Sequence, residues 1–264
     1  MTMKSTKSAD GTAIAFEITG QGTPLILVGG AFCDRTARAS GTPLAALLAD
    51  RFTVLSYDRR GRGDSGDAIP YAVEREREDI AALIDVLGGS SHVFGNSSGA
   101  LLALDAAADG LSLAKLVLYE PPVILDVTMA AAFAALAPEL EQAAASDQRA
   151  RAVELYFTKV MQMPAAALAP IRASPMWSGL ESLAHTLAYD LRITALGASR
   201  LARSSTVRAA TLVIEGGASP PWMRDALVEL TSALPHASLQ TLQGQTHAVD
   251  PAVLAEAIGA FLVG

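Results

Sequence analysis

The chain has 264 residues, a net charge of −7 and 51% hydrophobic residues, so it is long enough for one large domain with a sizeable apolar core. The acidic balance argues against nucleic acid or an anionic membrane as the main partner. The single cysteine, Cys33, excludes an internal disulfide and fits a reducing compartment.

The start of the chain carries no sign of secretion. The first ten residues are polar and lack the apolar core of a signal peptide, and no apolar run reaches the length of a membrane span. We therefore expect a cytoplasmic protein that binds neither nucleic acid nor a membrane. The sequence says little about oligomeric state, and both a monomer and a homodimer fit it.

The first half of the chain alternates predicted strands with predicted helices. The segment over 13–19 predicts an outer antiparallel strand, and the apolar run over 24–28 predicts a buried parallel strand that ends in Gly29-Gly30. The remaining elements of this half are a helix over 43–49, a strand over 52–57, a helix over 74–87, a strand that begins at 91, a helix that ends near 108 and a strand over 116–119.

The pattern changes over 123–208, which is rich in alanine and has no good strand. We expect its helical segments to be broken by four prolines, Pro138, Pro164, Pro170 and Pro175. Strand and helix signals then return, with strands over 211–214 and 238–242 and helices over 221–234 and 251–262.

This order of elements predicts an α/β fold with a doubly wound, mainly parallel sheet, because strands alternate with helices. The core domain is expected over 1–122 and 209–264. The intervening segment, 123–208, is expected to form a helical cap.

One turn in the core carries a chemical motif. Gly95-Asn96-Ser97-Ser98-Gly99 fits the pattern G-x-S-x-G between a predicted strand and a predicted helix. Such a turn holds its central serine in a strained conformation at the carboxyl end of the sheet, beside a helix N-terminus that favours negative charge. The same five residues also fit an ordinary Gly/Ser-rich turn, so the rest of the chain must decide between the two interpretations.

With these elements placed, the chain resembles the α/β-hydrolase superfamily over nearly all of its length except the cap. The loop from Asp58 to Ser65 resembles the D-x-R-G-x-G-x-S loop of that family with one extra arginine, and Gly29-Gly30 sits where the family often has His-Gly. The resemblance implies an α/β-hydrolase fold with Ser97 as the nucleophile. The charged residues of this loop, among them Arg59 and Arg62, are expected to be structural.

A serine hydroxyl needs a base to accept its proton during attack. His247 follows the last predicted strand on a glycine-containing loop, where the family places its histidine. His92 and His236 lie at the wrong ends of their strands, and His185 lies in the cap, where it could line the pocket.

The acid that orients this histidine departs from the commonest family pattern. Most members have an aspartate in the loop after the strand equivalent to 211–214, but Ser219 occupies that position here. Some members instead use a carboxylate at the end of the strand that follows the nucleophile, and this is the position of Glu120. We therefore predict the triad Ser97–His247–Glu120, with Glu215 and then Asp126 as alternative acids.

An oxyanion hole requires two N–H donors that point at one place. The amide of Ser98, directly after the nucleophile, is the first. The resemblance implies that the second is the amide of Ala31, with Phe32 as the fallback.

Serine as nucleophile implies an acyl-enzyme, which points to hydrolysis of an ester, thioester, lactone or amide. Members of the family that hydrolyse carbon–carbon bonds also use serine, and we favour a carboxylic ester or, after it, a thioester or lactone. The substrate is expected to be a small or medium-sized hydrophobic acyl compound, contacted by Phe32 and by Met161, Trp177 and Tyr189 of the cap, although these cap residues also fit a role in the cap's own core. No metal and no cofactor is implied. The alternative, from another class, is a non-hydrolytic, lyase-like or ligand-binding protein on the same scaffold.

Overall fold

The computed structural model describes residues 3–264, apart from the side chain of Ala198. Eight strands form one sheet in the order β1-β2-β4-β3-β5-β6-β7-β8. The first two strands run antiparallel to their neighbours and all other neighbouring pairs are parallel. The strands are β1 (Lys4–Lys7), β2 (Ala13–Thr19), β3 (Thr23–Val28), β4 (Phe52–Tyr57), β5 (Ser91–Asn96), β6 (Leu113–Tyr119), β7 (Ala210–Gly216) and β8 (Ala237–Leu242).

Helices cover both faces of the sheet, which confirms the predicted doubly wound α/β fold. The helices of this core are α1 (Thr42–Leu48), α2 (Val73–Val86), α3 (Ser98–Ala108), α10 (Pro221–Ala233) and α11 (Pro251–Val263). Leu25 and Leu27 of β3 pack towards α1 and α11, whereas Ile26 and Val28 pack towards α2, α3 and α10. The side chains of a strand alternate between faces, so a continuous apolar run such as β3 is buried on both sides.

The segment between β6 and β7 is helical. We call its helices the cap helices: α4 (Val127–Ala145), α5 (Arg149–Leu155), α6 (Ala165–Arg172), α7 (Trp177–Ser182), α8 (Leu187–Thr194) and α9 (Gly197–Ser204). A π-helical turn at Tyr156–Val160 follows α5, and a 3₁₀ turn at Ala184–Thr186 precedes α8. Most of these helices share a hydrophobic cluster of their own. The division of the chain into a core domain and a cap domain stays a prediction.

Two of the expected helix breaks in this segment were wrong. Pro138 lies inside α4 and Pro170 lies inside α6. The buried face of α4 continues across the proline, with Ala137 before it and Leu140 after it. Packing of an apolar face contributes more to helix stability in proteins than one backbone hydrogen bond, which explains why α4 continues.

Three loops that follow parallel strands contain a non-glycine residue with positive φ. These residues are Phe32 after β3, Ser97 after β5 and Glu120 after β6, with φ values of 56°, 56° and 44°. Such conformations are strained for residues with a side chain and concentrate at functional sites. All three lie at the carboxyl edge of the sheet, where ligands of doubly wound folds bind. Among residues 3–264, none of the helices combines the length and apolar character needed to cross a membrane.

Candidate active site

The turn at Ser97 has the strained geometry that its sequence predicts. Ser97 sits between β5 and α3 with φ 56° and ψ −127°. A Cβ on Gly95 would lie 2.5 Å from Cα of Ala100, and a Cβ on Gly99 would lie 2.4 Å from the carbonyl oxygen of Val28. Both glycines are therefore required by close backbone contacts, and the turn presents Ser97 half-exposed at its apex.

The loop after β3 lies directly against this turn. A Cβ on Gly30 would be 2.8 Å from Cβ of Ser97, so only glycine permits the approach. The next residues, Ala31 and Phe32, are thereby held beside Ser97. Within the described chain, the backbone N–H groups of Ala31, Phe32 and Ser98 donate no hydrogen bond. Free N–H groups near a nucleophile are what an oxyanion hole requires.

His247 contacts Glu120. Nδ1 of His247 lies 2.7 Å from Oε2 of Glu120, while Oε1 of Glu120 accepts a hydrogen bond of 2.8 Å from the N–H of Gly216. The Glu120 carboxylate is fully buried, and burial alone would raise its pKa, but the hydrogen bonds from His247 and from the N–H of Gly216 hold the pKa below its usual value. An ionised carboxylate on Nδ1 fixes the tautomer in which Nε2 can accept a proton.

The two alternative acids have other partners. Glu215, at the end of β7, accepts hydrogen bonds from Arg224 and from the Thr241 hydroxyl. The Asp126 carboxylate caps the N-terminus of α4 through the N–H groups of Thr128 and Met129. The structure therefore brings Glu120, and neither alternative, to His247.

No hydrogen bond joins Ser97 to His247 within residues 3–264. The His247 side chain is 42% exposed. Hydrogen bonds between a nucleophile and its base are often long in unliganded enzymes and tighten when substrate binds.

An aromatic cluster lies at the loop after β3. The Phe32 ring stacks on Phe157 and meets Tyr156 edge-on, with 5.3 Å between ring centroids in both pairs. Sequence reasoning did not single out Tyr156 and Phe157, although two adjacent aromatic residues in an alanine-rich segment are a usable signal. They are the first two residues of the π-helical turn, a feature that often marks functional sites.

The predicted pocket residues of the cap fall in different places. Trp177 is buried in the same cluster as Phe32, whereas the Met161 side chain is 48% exposed. Tyr189 stacks on Tyr71 at 3.8 Å, packs with the core of the sheet and donates to Asp67. The structure therefore does not bring Tyr189 to the aromatic cluster beside Ser97.

His185 bonds to the carbonyl oxygen of Gly61 through Nε2, at 2.7 Å, so this ring is tied to the loop after β4. In the part of the chain that the structure describes, no three His, Cys, Asp or Glu side chains are grouped to hold a metal ion.

Comparison with known proteins supports the fold and the family. A sequence profile of the alpha/beta hydrolase family matches residues 25–257. The crystal structure of an alpha/beta hydrolase from Sphaerobacter thermophilus DSM 20745 is similar, with 43% sequence identity and a TM-score of 0.84 over 98% of this chain and 100% of that chain.

Two curated relatives have named activities. N-formylmaleamate deformylase of Pseudomonas putida is 38% identical over 108 residues, which is 39% of this chain and 39% of the relative. The 2-(acetamidomethylene)succinate hydrolase of Mesorhizobium japonicum is 28% identical over 233 residues, covering 83% of this chain and 82% of the relative. The chain thus aligns with less than half of the deformylase but with most of the succinate hydrolase. Because the family profile spans most of its length, this chain belongs to the alpha/beta hydrolase family.

Proposed function

We propose that the protein is a serine hydrolase that cleaves a carboxylic ester, thioester or lactone of a small to medium-sized hydrophobic acyl compound through an acyl-enzyme. The observation that carries this proposal is the 2.7 Å contact between Nδ1 of His247 and the buried Glu120 carboxylate, at the same edge of the sheet as the strained turn of Ser97. A buried carboxylate that orients a histidine near a serine is the arrangement that activates a serine nucleophile.

The reaction follows from this arrangement. Ser97 Oγ attacks the acyl carbon while His247 Nε2 takes the hydroxyl proton, and Glu120 stabilises the imidazolium that forms. The carbonyl oxygen becomes an oxyanion, which the N–H groups of Ser98 and Ala31 bind. Collapse of this intermediate releases the alcohol or thiol, which takes the proton from His247. Water then attacks the acyl-enzyme by the same steps and releases the carboxylic acid.

The preference for a hydrophobic acyl group rests on the aromatic cluster of Phe32, Tyr156 and Phe157 beside the proposed oxyanion hole. Apolar walls with few polar groups are typical of sites for small organic ligands. Two relatives are named for a deformylase and for a hydrolase of an acetamidomethylene compound, so N-formyl and N-acyl compounds belong in any substrate screen.

The test is labelling with a fluorophosphonate probe together with a screen of p-nitrophenyl esters from acetate to dodecanoate, lactones and N-acyl compounds. We expect stoichiometric labelling at Ser97 and hydrolysis of short and medium esters. Ser97→Ala should lose both, whereas the exposed Ser205→Ala should keep both. If folded wild-type protein is neither labelled nor active, the proposal is overturned in favour of a non-hydrolytic or ligand-binding role on the same scaffold.

A further inference from the structure

Asp190 of cap helix α8 is buried beneath the turn of Ser97. Its Oδ1 accepts hydrogen bonds from Arg59 Nη1 at 2.8 Å and from Ser98 Oγ at 2.7 Å, and its Oδ2 accepts one from Arg62 Nη2 at 2.7 Å. The Asp190 carboxylate is fully buried and both arginine side chains are 1% exposed. A carboxylate so deeply buried persists only when it is fully paired, as this one is.

Arg62 connects this carboxylate to the loop after β3. While Nη2 of Arg62 holds Asp190, its Nη1 donates to the carbonyl oxygens of Gly30 and Cys33. The carbonyl of Gly30 and the N–H of Ala31 belong to one planar trans peptide and point in opposite directions. Because Arg62 holds the carbonyl oxygen of Gly30 towards itself, the N–H of Ala31 points away from Arg62.

Ser98 connects the same carboxylate to the second proposed donor. Its hydroxyl is bound by Asp190, and its backbone N–H is free at the start of α3. Both proposed oxyanion donors are thus linked to Asp190, one through the Ser98 side chain and the other through Arg62 and the Gly30–Ala31 peptide.

The charges of this cluster are balanced. Arg59 donates to both oxygens of the Glu76 carboxylate at 2.6 Å, so the charge of Glu76 neutralises that of Arg59. The negative charge of Asp190 then neutralises the positive charge of Arg62. Burial would raise the pKa of Asp190, but the charges of Arg62 and Arg59 outweigh it and hold the pKa below its usual range. The acceptor therefore stays ionised whenever the protein is folded near neutral pH.

We propose that Asp190 is a positioning residue that aims both oxyanion donors at one point, so that the cap helps to form the catalytic centre instead of only covering it. This inference rests on the proposed function, because it assigns the donors that the hydrolase would use. Asp190 acts through Arg62 and Ser98 and touches no reacting atom.

The test compares Asp190→Asn with a matched variant, Asp105→Asn. Asp105 is equally buried and receives two hydrogen bonds from Arg200 of α9, at 3.0 and 2.8 Å, so this pair also joins the cap to the core, but at the far end of α3. Both substitutions remove one buried negative charge beside an arginine, and both should lower Tm. Only Asp190→Asn should disturb the oxyanion donors.

With p-nitrophenyl acetate, Asp190→Asn should lower kcat by about 10- to 100-fold and change KM by less than about threefold, because oxyanion donors act mainly on the transition state. Affinity for a phenyl trifluoromethyl ketone, which forms a tetrahedral adduct with a reactive serine, should fall by the same factor as kcat/KM. Asp105→Asn should leave kcat/KM and the affinity for the ketone within about twofold of the wild-type values. The proposal is overturned if Asp190→Asn behaves as Asp105→Asn does.

Two further measurements cover other outcomes. If Asp190→Asn does not fold, Ser98→Ala removes only one of the three hydrogen bonds and should still lower kcat by about three- to tenfold, and an unchanged kcat would overturn the proposal. Hydrogen exchange of the Cys33 N–H, which donates to Gly30, should quicken in Asp190→Asn but not in Asp105→Asn, and equal exchange in the two variants overturns the positioning role. If the wild type hydrolyses none of the substrates, the proposed function is refuted. If exchange is nevertheless faster in Asp190→Asn alone, the role of Asp190 in positioning the loop after β3 stands.

Discussion

Glu120 and His247 are in contact although they follow β6 and β8, which are not neighbours in the sheet, because β7 lies between them. The Glu120 side chain crosses the end of β7, where the N–H of Gly216 holds its second oxygen. Ser219, in the position where the family usually has aspartate, lies beside the same carboxylate. In the proposed triad the acid therefore follows β6, one strand earlier in the chain than in most of the family, and contacts Nδ1 of His247 from there.

The first prediction concerns which carboxylate orients His247. Glu120→Gln should lower kcat by about a thousandfold to ten-thousandfold, because the amide NH₂ facing Nδ1 selects the wrong tautomer, while the amide oxygen still accepts from Gly216. Glu215→Gln is the matched control, since Glu215 is also buried at a strand end but bonds to Arg224 and Thr241. Steady-state kinetics on an activated ester measures both. A larger loss in Glu215→Gln would reverse the assignment of the acid.

The second prediction concerns stability and pH. The folded pKa of Glu120 lies below its ordinary value of 4.5, so ionised Glu120 stabilises the folded state fully above that value and loses this contribution as pH falls through the folded pKa. The Tm difference between wild type and Glu120→Gln should therefore be constant above about pH 5.5 and shrink below pH 4.5. Thermal unfolding from neutral to acidic pH measures it. A difference that grows as the pH falls would contradict this account.

The third prediction concerns strain at Ser97, the proposed nucleophile. The φ of 56° at Ser97 suits glycine, so Ser97→Gly should abolish hydrolysis yet stabilise the fold by about 1 kcal/mol, since relief of strain exceeds the extra entropy of the unfolded chain. For a chain of this length the rise in Tm is about 2–4 °C. Ala100→Gly, in the first turn of α3, should lower Tm instead. Differential scanning calorimetry measures the Tm of both variants. A Tm of Ser97→Gly below that of the wild type would show that the turn is not strained.

The fourth prediction concerns acyl-chain length. Phe157→Leu removes ring volume from the stack on Phe32 and makes room for about one further methylene. It should raise the ratio of kcat/KM for octanoate to that for butyrate by about fourfold, because a buried methylene contributes about 0.8 kcal/mol. Met161→Ala changes an exposed side chain and should leave the ratio unchanged. An unchanged ratio in Phe157→Leu would mean that the acyl chain does not bind against the Phe32–Phe157 stack.

The places of Ser97 and Glu120 at the sheet edge could be predicted from the sequence because each follows a strand that is marked by an apolar run. His247 follows β8, which alternates apolar and polar residues, and its assignment rests on the family resemblance. The carboxyl ends of parallel strands meet at one edge of the sheet, so the strand order brings these residues together. The contact between Nδ1 of His247 and Glu120 agrees with this expectation.

Three of the missed features had no local signal. The edge strand β1 (Lys4–Lys7) is polar and was not predicted, because a strand without an apolar face shows no hydrophobic alternation. Asp190 and Arg62 are 128 residues apart in the chain, and a pair at that separation leaves no periodic pattern. The π-helical turn at Tyr156–Val160 likewise depends on packing and not on propensity.

The cap helices differ in how they are attached, and this has a consequence for the evolution of substrate range. Buried ion pairs and hydrogen bonds tie α8 and α9 to α3, through Asp190 and Arg200, whereas α4 to α7 are held by a hydrophobic cluster that they share with α8. We therefore expect the stretch over 127–182 to tolerate more substitution than α8 and α9 do. Changes in this stretch should alter the accepted acyl group while Asp190 of α8 holds the proposed oxyanion donors in place.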